Sequence, residues 1–170
     1  KMAEVRALQA QINPHFLYNM LQCMRGISLM HDIPEVAQIC TNMADLFRYS
    51  IKGAFLVPLE NELNIIDKYL YMIEVRFQRR ITYKLEVSEN TKDCLIPNFI
   101  LQPIVENAIF HGLDEIEEGG IVTIKTTRSE DDLYITVTDN GVGFSKEKLY
   151  DLTRKLEEEI TFINNSSSET

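Results

Sequence analysis

The sequence predicts an α+β chain: an N-terminal helical hairpin that builds a dimeric four-helix bundle with a second copy, then a two-layer α/β sandwich. Three observations carry this. Apolar residues recur at three- and four-residue steps through the first fifty positions, the period of an amphipathic helix. Beyond Val57-Pro58, three segments alternate apolar and polar residues, the period of a strand with one buried face. A largely apolar helical stretch separates the first of these strands from the other two, which puts helices on one face of a sheet.

The first helix shows its stripe at Leu8, Ile12, Phe16, Met20, Cys23 and Ile27. His31-Asp32-Ile33-Pro34 interrupts it, with Asp32 read as the N-cap of the next helix and Pro34 in its first turn. That second helix covers residues 35–51, with Val36, Ile39, Cys40, Met43, Leu46 and Phe47 on its apolar face, and Gly53 ends it. Two helices alone cannot bury stripes this long, so a symmetric partner is expected. A third helix follows over residues 59–77 through Leu63, Ile66, Leu70, Ile73 and Phe77. Strands are read at Ile81, Tyr83, Leu85 and Val87, at Val122 and Ile124, and at Leu133, Ile135 and Val137. The helix between them spans residues 99–111, introduced by Pro97, and a charged helix spans 145–159 before an Asn- and Ser-rich stretch suited to a loop. The chain divides at residues 1–54, the helical hairpin, and 55–170, the sandwich.

Composition narrows the function. A formal charge of −9 disfavours nucleic acid, whose phosphates need a basic surface. No apolar run is long enough to span a bilayer, and residues 1–10 carry charge without a leader-peptide pattern. The chain begins with Lys1 instead of Met, so a longer parent is expected, and the composition is compatible with one that crosses a membrane elsewhere. Cys23, Cys40 and Cys94 have no paired spacing and read as buried thiols of a reducing compartment. Met20, Met24, Met30 and Met43 read as core filler.

Three constellations carry chemistry. In Gln11-Ile12-Asn13-Pro14-His15-Phe16-Leu17-Tyr18-Asn19, a proline inside a helical pattern removes a backbone bond and kinks the helix, at a cost of about 3 kcal/mol. Gln11, His15 and Asn19 fall four residues apart and form a polar stripe beside the apolar one. An imidazole titrates near neutrality, so His15 is either a candidate nucleophile or an ordinary surface histidine. In Gln102-Pro103-Ile104-Val105-Glu106-Asn107-Ala108-Ile109-Phe110-His111-Gly112, Asn107 interrupts an apolar helix. It is either a satisfied core amide or a ligand for a hydrated magnesium ion or a phosphate oxygen. His111, one turn on, faces the same ligand or simply the surface. In Asp139-Asn140-Gly141-Val142-Gly143-Phe144, Asp139 continues the parity of Leu133, Ile135 and Val137 onto the buried face, where a carboxylate needs a donor. Gly141 and Gly143 let backbone approach a flat ligand closely.

In this order, the three segments resemble the sensor histidine kinases of the LytS/YesM type, with a histidine box of the form QxNPHFLxN and an asparagine box of the form LQPxVENAxxHG. The resemblance covers nearly the whole chain and extends to the wider group of Bergerat-fold ATPases. It implies that His15 accepts the γ-phosphoryl group of ATP, that Asn107 helps to hold Mg²⁺, and that Asp139 recognises adenine, with Gly141 and Gly143 shaping the pocket. It further implies a homodimer, transfer to the aspartate of a response-regulator receiver domain, and a position as the cytoplasmic portion of a cell-membrane sensor. Related kinases place a residue that directs water for the reverse phosphatase reaction where Asn19 stands.

Three departures from the pattern stand out. Phe16 follows the histidine where many histidine kinases carry an acidic residue, leaving Gln11 and Asn19 as the nearest polar groups. Phe110 replaces a lysine that faces the phosphates. The second glycine box is not within the 170 residues, so the sandwich is read as incomplete at its C-terminus. Two alternatives follow: an ATP-hydrolysing clamp of the same fold, and a catalytically silent dimerisation module. Against the clamp, Pro103 stands where a water-activating glutamate would be needed, and Glu106 points about 100° away from Asn107 around the helix.

Overall fold

The computed structural model describes residues 14–52, 54–113 and 116–155. The kink expected at Pro14, with Leu8, Gln11 and Ile12, depends on residues outside this set, as do Gly53, Asp114 and the stretch 156–170.

Helix α1 (Pro14–Met30) and helix α2 (Pro34–Lys52) form the hairpin. The residues between them form a C-terminal cap for α1 and not an N-cap for α2. Asp32 takes the left-handed conformation, φ 56°, while its N–H reaches the Leu29 carbonyl and that of Ile33 reaches the Ser28 carbonyl. This double closure needs one left-handed residue, and a short polar side chain tolerates that conformation. The Ile33 carbonyl then accepts the Ala37 N–H and opens α2.

The face joining the two helices is narrow, built from Leu21, Cys40 and Ala44 with Tyr18 packed against them. The longer stripe read from the sequence points elsewhere. Phe16 is 58% exposed, and Met20, Met24, Ile27, Val36, Met43 and Phe47 are exposed with it. The four methionines are therefore not core filler within one chain, and Cys23 is exposed where a buried thiol was expected. An amphipathic period gives the position of a stripe but not what covers it.

Strand β1 (Leu56–Pro58) leads directly into helix α3 (Leu59–Arg76), followed by strand β2 (Ile81–Val87), strand β3 (Leu95–Pro97), helix α4 (Leu101–Asn107), strand β4 (Gly120–Ser129) and strand β5 (Asp132–Asp139). Residues 146–155 are helical. The three long strands form one sheet in the order β2-β4-β5. β2 and β4 are parallel, with Ile81 opposite Gly120, while β4 and β5 are antiparallel, with Val122 opposite Asp139. The parallel pair requires a crossover, which carries α4. α3 and α4 pack on one face of the sheet, where Ile66, Leu70, Val105 and Ile109 meet Ile81, Val122 and Ile124. The structure is thus α+β, with the expected two layers.

The ribbon β1–β3, antiparallel with Val57 opposite Ile96, was not foreseen. Each strand has three residues and ends in proline, too short for any alternation to register. α2 also packs along α3. Buried Asn42 donates to the Lys68 carbonyl (3.3 Å), and Lys68 pairs with Asp45.

Candidate functional site

α4 is anchored by Leu101 and Val105, and beyond it Ala108, Ile109 and Leu113 face the same core. That anchoring turns Asn107 and His111 outward, and both are exposed. Asn107 is therefore not a core amide. From Ala108 to Gly112 the helix widens into a π turn, closed by the Leu113 N–H on the Ala108 carbonyl (3.1 Å). The apolar pattern predicts one continuous helix over 99–111. It begins two residues later, because Phe99 is left-handed (φ 61°).

At the end of β5, Asp139 continues the inward parity as expected, half-buried, and its Oδ1 accepts the Gly141 N–H at 2.9 Å. The loop is then fastened to the π turn. Val142 N–H donates to the Gly112 carbonyl at 3.0 Å, and a Cβ on Gly141 would stand 1.8 Å from that carbonyl oxygen. Only glycine fits at 141. A Cβ at Gly112 would likewise come within 2.6 Å of Asp139 Oδ1. Asn140 clamps the other side, its Oδ1 accepting from Ile121 N–H (2.7 Å) and its Nδ2 donating to the Gly119 carbonyl (2.9 Å). Gly143, at φ 67°, continues in a conformation that favours glycine.

These elements enclose a cleft of about 320 Å³ lined by Asn107, His111, Gly112, Asp139 and Gly143, with Ile104, Ala108 and Val137 as apolar wall. That size lies at the lower end of small-molecule sites. Gly141 shapes the cleft through its contact with Gly112. Phe144, Ser145 and Lys148 complete the lining and were not singled out in the sequence, where they look like the start of a charged surface helix. The signal was the glycine loop just before them. Lys148 Nζ lies 5.5 Å from the Phe144 ring centroid, four residues on in the chain. Among the described residues no cluster of three or more His, Cys, Asp or Glu side chains could hold a metal ion.

Phe110 does not line the cleft. It packs against Phe77, ring centroids 6.4 Å apart, and the Arg76 guanidinium lies over both rings. His15 and Asn19 lie on α1, exposed, one turn apart, with Asn19 Nδ2 3.3 Å from His15 Nδ1. The site residues expected from the sequence thus fall into two groups: Asn107, His111, Asp139, Gly141 and Gly143 around one cleft, where Gly112 joins them, and His15 with Asn19 on the hairpin. Gln11 lies outside the described residues.

A helical hairpin bearing an exposed histidine is thus joined to an α/β sandwich that carries the cleft. A family model described as "Histidine kinase" matches residues 3–81, and one described as "Histidine kinase-, DNA gyrase B-, and HSP90-like ATPase" matches residues 97–169. Over most of its length the chain is similar to the sensor histidine kinases of the LytS/YesM type. It is 38% identical over 91% of its length to the sensor protein LytS of Oceanobacillus iheyensis and covers 27% of that protein. It is 34% identical over 84% of its length to the sensor histidine kinase YesM of Bacillus subtilis, covering 25% of it. To the sensor protein kinase HptS of Staphylococcus aureus it is 31% identical over 92% of its length, covering 30%. The chain therefore spans between a quarter and a third of the length of these curated relatives. No described helix is long and apolar enough to cross a membrane.

Proposed function

We propose that the chain is the kinase core of a two-component sensor, in which His15 is phosphorylated from Mg-ATP and the phosphoryl group then passes to an aspartate on a response-regulator receiver domain. The observation that carries this is the convergence of Asn107, His111, Asp139 and Gly143 on one cleft beside a loop that tolerates only glycine at 141. Asp139 has one oxygen held by Gly141 N–H, which leaves Oδ2 to meet the exocyclic amine of adenine. Ile104, Val137 and Phe144 suit the faces of a flat base. Among the described residues the cleft has no carboxylate cluster for a resident metal. An exposed amide oxygen at Asn107 suits magnesium, which keeps most of its water and is bound mainly through phosphates. Mg²⁺, when bound, neutralises phosphate charge. Lys148 adds a fixed positive charge from the protein.

In the reaction, an unprotonated ring nitrogen of His15 attacks the γ-phosphorus in line. The N–P bond forms as the bond from that phosphorus to the β,γ-bridging oxygen breaks, and ADP leaves with the electron pair. The protein supplies positioning and charge stabilisation. The uncovered apolar faces of α1 and α2 support a homodimer, with two hairpins closing a four-helix bundle. By likeness to the LytS relatives, the full protein is a membrane sensor with this core on the cytoplasmic side.

The test is incubation of the full-length kinase with γ-labelled ATP and Mg²⁺ beside His15→Ala. Acid-labile, base-stable label on the first and none on the second supports both the kinase and its acceptor. Label on both moves the acceptor elsewhere. Label on neither, with nucleotide still bound, turns the reading to a silent module.

A further inference from the structure

Glu62 is a carboxylate on α3 that is only 2% exposed, deep in the packing between the hairpin and the sandwich. A charge in such a place is costly unless hydrogen-bonded. Two neutral donors meet it, both at Oε1: the Tyr49 hydroxyl on α2 at 2.7 Å and the Phe99 backbone N–H at 2.9 Å. The rings of Tyr49 and Phe99 also touch, edge to face, with centroids 5.3 Å apart.

Phe99 stands two residues before α4. Its φ of 61° is unfavourable for a bulky side chain. Its neighbour Asn98 has a buried Oδ1 with no hydrogen-bond partner among the described residues. Two costly features in succession persist only where the surroundings over-determine them, and such places cluster at switching and ligand-clamping segments. Here Glu62 and the Tyr49 ring do the holding. α4 begins immediately afterwards and presents Asn107 to the cleft at its end, seven residues long in all.

We propose that Glu62 is a positioning residue of the autophosphorylation reaction, joining α2 of the His15 hairpin to the turn that launches the Asn107 helix. The bond to Phe99 N–H holds the turn that sets the Asn107 helix for nucleotide, and the bond to Tyr49 sets α2, and with it the His15 hairpin, against that turn for transfer. The proposal rests on the kinase reading above.

The experiment uses the full-length kinase and Glu62→Gln, Glu62→Ala and Tyr49→Phe. It measures Mg-ATP affinity, label transfer at saturating ATP, and hydrogen exchange of the Phe99 amide. Glu62→Ala lowers Mg-ATP affinity about tenfold and speeds Phe99 exchange, because a charge-assisted hydrogen bond is lost. Glu62→Gln keeps an acceptor oxygen and stays within about threefold of wild type. Tyr49→Phe keeps the ring contact and breaks only the bond to α2, so label transfer falls about fivefold while affinity changes less than about twofold. A purely structural role would not split these two readouts.

Wild-type affinity, transfer and exchange in both Glu62→Ala and Tyr49→Phe overturn the proposal. If Glu62→Ala does not fold, Glu62→Gln and Tyr49→Phe decide: rescue by the first with the split in the second supports it, and no split overturns it. If the wild type itself takes no label, the kinase reading fails. Nucleotide affinity and Phe99 exchange then judge the link separately, and unchanged values in the variants overturn it.

Discussion

Asn19 Nδ2 lies 3.3 Å from His15 Nδ1, one helical turn away on the exposed side of α1. An amide nitrogen only donates, so this contact makes Nδ1 an acceptor and places the ring proton of a neutral His15 on Nε2. Turning the amide over brings Oδ1 to the same place, where it accepts Nδ1–H and bares Nε2. The orientation of the Asn19 amide therefore bears on which ring nitrogen carries a lone pair. In Asn19→Ala we expect the histidine nitrogen shifts to report a mixture of tautomers in place of one dominant form. We also expect slower dephosphorylation of the regulator; an unchanged rate removes Asn19 from the phosphatase reaction.

Gly141→Ala sets a methyl group 1.8 Å from the Gly112 carbonyl oxygen, so the glycine loop and the π turn must separate. The expected cost is about 3 kcal/mol in urea unfolding, with loss of nucleotide binding in the folded fraction. Gly143→Ala has open space and meets only the penalty of φ 67°, about 1 kcal/mol. Equal losses in the two variants would show that the clasp between Gly112 and Gly141 has no special weight.

Lys148→Gln removes the lysine from the cleft lining, while Phe110 at the other candidate position is turned toward Phe77. Affinity for ATP should fall about tenfold and affinity for adenosine should hold, since a charge-assisted contact to phosphate is worth roughly 1.5 kcal/mol or more. Titration calorimetry with both ligands decides. A parallel loss for adenosine would place Lys148 against the base.

Thr126→Val tests the sheet. Thr126 Oγ1 accepts the Ser88 N–H (3.2 Å) and meets Thr91 Oγ1 at 2.7 Å in a fully buried pair. Valine fills the same space but leaves the Ser88 N–H without its acceptor, while Thr91 Oγ1 keeps its bond to the Ser88 carbonyl at 2.6 Å, so unfolding should be easier by about 1–3 kcal/mol. Thr91→Val combined with it should cost less than the sum, which a double-mutant cycle measures.

Much of this architecture was legible because polarity breaks a period. Asn107 and Asp139 stood out as polar residues in apolar patterns, and both line the cleft. Gly141 and Gly143 mark places where backbone crowding or a positive φ excludes a side chain. Lys148 and Phe144 were invisible by the same logic, because a lysine on a charged helix breaks no pattern. The helices α1 and α2 were readable as helices, yet the stripe through Phe16 and Met20 did not reveal that α2 would meet Leu21 instead. Asp32 was misread because its short side chain suits a left-handed C-cap as well as an N-cap. Glu62 gave no warning at all. A glutamate near a helix start is usually solvated there, and its burial depends on Tyr49 and Phe99, which are distant in sequence.

The π turn from Ala108 to Gly112 stores part of the cleft as a phase shift. A wide turn inserts one residue into the helical count, and each residue of an α-helix is worth about 100° of rotation. Gly112 meets Asp139 and offers its carbonyl to Val142 because that extra step has been taken. Loss of a single residue here would leave nearly all the chemistry of the segment intact and aim it wrongly. The cleft is thus exposed to a change in chain length that a substitution scan, which keeps the count, would never sample.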